Sequence, residues 1–165
     1  MKITLEKAVA LLPFAFMLHN CEEAWGISKL SKPISFPILQ GVTPFQFDIA
    51  VTLFTVLGFV IIFLKDFYKS EKQYTYVATG FTGMLFLNIF FPHLSATILF
   101  GKYAPGVITA LFINLPLTGY ILFNMFKTNK LNLKEIITSS TIGALIGIIL
   151  VFIFLKFGNI VWIYK

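Results

Sequence analysis

Residues 19–23 read His-Asn-Cys-Glu-Glu and place an imidazole and two carboxylates within about one helical turn, at the end of an apolar stretch. On a helix His19 and Glu22 stand at i, i+3, and His19 and Glu23 at i, i+4, so the three share a face. A carboxylate at hydrocarbon depth is costly unless a cation, a proton or water compensates it. The chain has a second histidine, His93, directly after Pro92. Two carboxylates and two imidazoles suit Zn²⁺, Fe²⁺ or Mn²⁺. Helical bundles build metal sites from Glu and His side chains projecting inward from facing helices. The candidate metal ligands are therefore His19, Glu22, Glu23 and His93. Glu22 and Glu23 are also the candidate catalytic groups. Without a metal, the same carboxylates could move a proton on an apolar substrate. A third use is a proton relay or cation path for transport.

These residues must be positioned by helices that cross a membrane. The 165-residue chain is 58% hydrophobic and only 12% charged, with a mean hydropathy of +0.87. A soluble domain carries roughly a quarter charged residues. Several apolar stretches approach the ~20 residues that span a bilayer. The expected fold is an all-α polytopic transmembrane bundle forming a single domain over 1–165, with spans at about 3–27, 44–64, 74–98, 105–126 and 136–157. A four-span arrangement, with the first segment lying in the interface, is the alternative. Pro33, Pro37 and Gly41 argue against a long helix between the first two spans, and Phe36, Ile38 and Leu39 suggest a connection dipping into the interface. Pro105 suits the first turn of the fourth span. No internal repeat is evident. The N-terminal segment has polar residues where a signal peptide would carry small cleavage-site residues, so it reads as a retained helix.

Charge gives the orientation. The net charge of +6 comes from 13 lysines and no arginine. The lysines lie almost entirely between apolar segments, so they read as topology and lipid contact rather than nucleic-acid binding. Five spans put Lys2, Lys7, Lys65, Lys69, Lys72, Lys127, Lys130 and Lys134 on one side and Lys29, Lys32, Lys102, Lys156 and Lys165 on the other. That bias predicts a cytoplasmic N-terminus and an outer C-terminus. His19, Glu22 and Glu23 then meet His93, Asp48, Lys102 and the turn at Tyr103 in one leaflet. Asn88 and Asn114 fall somewhat deeper.

His19-Asn20-Cys21-Glu22-Glu23 resembles the motif of the HXXEE family, small bacterial integral membrane proteins of unknown function. That family also carries an asparagine before a second histidine, and a Tyr-x-Pro-Gly turn. Asn88, His93 and Tyr103-Ala104-Pro105-Gly106 occur here in that order. The resemblance implies a multi-pass protein of the bacterial cell membrane and singles out residues without assigning them an activity. A looser likeness, in architecture and residue type alone, is to sterol-isomerase-like membrane proteins.

The leading expectation is a metal-binding enzyme acting on an apolar or lipid-like substrate, its divalent ion being Zn, Fe or Mn. A metal-free isomerase-like or small-molecule-binding protein, and a proton- or cation-coupled transporter component, are the alternatives. Asn88, Tyr103 and Asp48 are expected to support the site. Each residue also has a plainer use: Asp48 as a helix cap, Asn88 and Asn114 as interhelical hydrogen-bond partners, and Glu22 and Glu23 as helix-end groups reaching water. Cys21 is alone, so no disulfide forms within the chain. Trp25, Tyr103, Trp162 and Tyr164 fit an aromatic belt. The expected partners are membrane lipids, and Gly143 and Gly147 form a small-xxx-small pattern that serves a homodimer or packing within the monomer equally well.

Overall fold

A computed structural model describes residues 3–29 and 41–163, with side chains to Val161. The expected interfacial connection at Pro33–Leu39 and the belt positions Trp162 and Tyr164 lie outside the described residues or side chains. The described chain is helical: α1 Leu5–Lys29, α2 Pro44–Phe63, α3 Glu71–Phe100, α4 Val107–Lys127 and α5 Leu133–Ile163. The last four are long and apolar enough to cross a membrane. α1 is 25 residues long, about 37 Å, but its polar end lowers its hydropathy. The architecture is thus an all-α bundle of five helices, four of which are candidate membrane spans.

Local chemistry sets the boundaries. Thr43 caps α2: its hydroxyl accepts from the Gln46 amide while the Gln46 side chain accepts from the Thr43 amide, with Pro44 opening the helix. Asp48, expected to cap this helix, sits a turn further in and is exposed. Ser70 caps α3, and Asn132 and Glu135 exchange backbone–side-chain bonds at the start of α5. Gly101, at φ +59, ends α3 in the left-handed conformation that glycine tolerates best. α3 is not one straight rod. It breaks over Ile89–Leu94, where Phe91 leaves helical geometry at φ −137 and ψ 118 and Pro92 has no amide to donate.

The helices pack as a ring in the order α1, α2, α5, α3, α4 and back to α1. Inside lie Leu12, Phe16, Phe81, Leu85 and Ile121, with the Phe16 ring edge-on to Phe54 at 5.3 Å and to Phe81 at 5.5 Å. α1 and α3 run in the same direction, which brings His19 and His93 to one end of the ring. α3 and α5 touch backbone to backbone. A Cβ on Gly143 would lie 2.1 Å from the Gly80 carbonyl oxygen, and one on Gly147 would lie 2.4 Å from Met84 Sδ. Both glycines proposed for pairing with a second copy therefore face α3 of their own chain. The outward surface is apolar, with Leu11, Val56, Ile142, Leu145, Ile149 and Phe152 exposed, as lipid contact requires.

Gly143→Leu should wedge α3 from α5 and destabilise the bundle by about 1–3 kcal/mol, the usual cost of overpacking. A melting curve in detergent checks this; an unchanged midpoint would contradict the packing.

Candidate metal centre

Three elements build the site: the end of α1, the break in α3 and the turn entering α4. On a regular helix Asn88 and His93, at i and i+5, point about 140° apart. The break turns the chain so that Asn88 Nδ2 lies 3.0 Å from His93 Nε2. The same amide nitrogen lies 3.1 Å from His19 Nε2 across the helix pair. The two imidazoles meet edge to face, centroids 4.6 Å apart and planes at 87°. Glu23 Oε1 approaches His93 Nε2 at 3.2 Å and His19 Nε2 at 3.7 Å. One ligand atom from each of His19, Glu23 and His93 falls within 4.8 Å of the others. Both imidazoles are buried, whereas the Glu23 side chain keeps 18% of its surface exposed.

The outer nitrogens fix the ring tautomers. His93 Nδ1 lies 2.8 Å from the Pro105 carbonyl, which can only accept, so that nitrogen carries a proton. His19 Nδ1 lies 3.0 Å from Thr109 Oγ1. The single Thr109 proton goes to Glu22 Oε2 at 2.6 Å, the shorter of its two acceptor contacts, so His19 Nδ1 must donate to the Thr109 oxygen. When neutral, both rings then direct an Nε2 lone pair at the same point. Such anchoring of the remote nitrogen is how proteins orient metal-binding histidines.

Glu22 faces elsewhere. Oε1 accepts from Tyr103 OH at 2.5 Å and from the Ile108 amide at 3.2 Å. Oε2 accepts from the Thr109 amide at 2.7 Å as well as from its hydroxyl. The carboxylate thus sits on the first turn of α4, where free amides and the helix dipole favour negative charge. Burial, and then the bond to Glu22, push the Tyr103 phenol from the usual 10 up to about 12, which keeps it a donor. Gly106, at φ +90, closes the site from above: a Cβ there would lie 2.7 Å from His93 Cε1 and 2.8 Å from both Glu23 Cγ and His19 Cε1. No other residue type fits.

A family model described as a protein of unknown function with HXXEE motif matches residues 10–121. The chain belongs to the HXXEE family. It is also 33% identical over 151 residues to the uncharacterized protein YrkK of Bacillus subtilis (strain 168), covering 92% of this chain and 95% of that protein. No solved structure matches it. The matched segment contains every residue of the site. In this HXXEE protein the motif's two glutamates divide the work: Glu23 faces the imidazoles and Glu22 ties α1 to α4.

Of the residues singled out by sequence, the structure brings together His19, Glu22, Glu23, His93, Asn88 and Tyr103. It leaves out Asp48, which takes part in none of the site's bonds among the described residues. Asn88 is the expected interhelical partner. Asn114 is not: it is buried one turn below Thr109's segment, and neither amide atom has a partner among the described residues. Pro105 opens no helix, because α4 begins at Val107; it supplies its carbonyl instead, and packs on Gly26 of α1. Thr109 is the residue that sequence reading missed. Its one signal is position, in the first helical turn after the Tyr-x-Pro-Gly turn, where a hydroxyl can reach a carboxylate.

Thr109→Val in this HXXEE protein should cost about 1–3 kcal/mol, because it removes one donor to the partly exposed Glu22 carboxylate and the acceptor of buried His19 Nδ1. Unfolding in detergent measures this; wild-type stability would contradict the assigned bonds.

Proposed function

We propose that His19, Glu23 and His93 bind one divalent transition metal ion, Zn²⁺, Fe²⁺ or Mn²⁺, and that the centre acts on an apolar or lipid-like substrate reaching it from the bilayer. The observation that carries this reading is the convergence of two Nε2 atoms and a carboxylate oxygen, with both Nδ1 atoms already committed to acceptors. Three lone-pair groups at one point call for a cation. Two histidines and one carboxylate form a ligand set that holds such ions with a position left for water or substrate. A metal there would act as a Lewis acid or lower the pKa of a bound water. The partial exposure of Glu23 gives the centre an edge open to its surroundings. Phe91, Ile98, Leu99 and Ile108, all exposed near that end, offer an apolar approach.

In this reading Glu22 is neither ligand nor base, since protein donors occupy both of its oxygens. The lysine bias supports a cytoplasmic N-terminus, with the centre towards the outer face. A metal-free reading, with Glu23 and His93 sharing a proton for isomerase-like chemistry, draws on their 3.2 Å contact.

Metal analysis of protein purified in detergent separates the two. We expect about one ion per chain in wild type, strong loss in His19→Ala and His93→Ala, and retention in Glu22→Gln. Absence of stoichiometric metal, unchanged by His19→Ala, would sink the metal reading; tight co-purification of a lipid would then favour the isomerase-like one.

A further inference from the structure

We propose that Asn88 is the fourth protein ligand of this centre, binding the ion through Oδ1 after its amide turns over. The inference rests on the metal reading above and adds how the remaining position is filled.

The Asn88 side chain is the neutral group that touches both imidazoles, with Nδ2 3.1 Å from His19 Nε2 and 3.0 Å from His93 Nε2. Its two N–H groups can each face one lone pair, which satisfies both rings when no ion is present. An ion in this centre must lie about 2.0–2.1 Å from each Nε2. It would then have the amide head as its neighbour, and an NH₂ group repels a cation. A half-turn about the last side-chain bond exchanges Nδ2 for Oδ1 in the same space. The carbonyl then faces the ion. The amide carbonyl is a hard oxygen ligand, suited to Mn²⁺ or Fe²⁺ beside imidazole and carboxylate.

The backbone holds Asn88 at this point. It ends the regular part of α3, and the break that follows returns His93 to the same spot. Gly106 lies against His93, Glu23 and His19 with no side chain of its own to offer, whereas Asn88 is a neutral polar side chain within hydrogen-bond distance of both Nε2 atoms. A neutral fourth ligand leaves the ion with a net positive charge and can yield to a substrate oxygen. An aspartate at that position would hold the ion more firmly.

The test is titration of the purified protein with Co²⁺, reading its visible absorption and its affinity in competition with a chelator. Wild type, Asn88→Asp, Asn88→Leu and His19→Ala are compared, with melting curves confirming folded samples. We expect Asn88→Asp to bind at least about tenfold tighter. Asn88→Leu should bind roughly 10–100-fold weaker with a shifted spectrum, the range seen when groups around a metal are removed. If either Asn88 variant matches wild type in both affinity and spectrum, Asn88 is not a ligand. If wild-type protein itself takes up no Co²⁺, the metal reading fails instead.

Discussion

The Glu22 carboxylate, held on the first turn of α4, is the interaction on which the site depends. It joins the two helices that carry or support the imidazoles, and it does so with four donors at 2.5–3.2 Å. Hydrogen bonds to a charged group are worth about 1.5–3 kcal/mol each, so this is a strong tie for a short motif. It also sets a direction. Because Glu22 takes the Thr109 proton, the Thr109 oxygen is free to accept, and His19 must carry its proton on Nδ1. A carboxylate that never faces the imidazoles thus decides which nitrogen does.

Burial explains why the two imidazoles and Asn88 each have partners assigned by geometry. Inside an apolar bundle an unpaired donor or acceptor is expensive. His93 meets that demand through the Pro105 carbonyl, His19 through Thr109, and Asn88 through both Nε2 atoms. The group left with two acceptors opposite it is Glu23, whose Oε1 faces two ring nitrogens bearing lone pairs in the neutral tautomers. A proton or a metal ion resolves that contact. The roof at Gly106 keeps the cluster tight: any Cβ there would push the three side chains apart.

Much of this was legible in the sequence. Apolar runs and turn residues placed five helices, and their alternating direction put His19, Glu22, Glu23 and His93 at one end. The boundaries shifted by a few residues because caps such as Thr43 and Ser70, rather than hydropathy, decide where a helix starts. What could not be read was rotation. Adjacent glutamates 22 and 23 project about 100° apart on α1, so Glu22 meets the first turn of α4 while Glu23 meets His93. The α3 break is equally hidden: Pro92 announces a disturbance, but only the fold shows that it brings Asn88 and His93 together. Asp48 failed for the converse reason, since a position near the right end of a span says nothing about which face it takes.

The central claim is that both imidazoles present Nε2 to a single ion. X-ray absorption at the metal edge of the loaded protein tests it most directly. The account predicts two imidazole nitrogens at about 2.0–2.1 Å for zinc, with oxygen completing the sphere, and loss of one imidazole in His93→Ala. A bound metal without imidazole scattering, or with a pattern indifferent to His93, would contradict it.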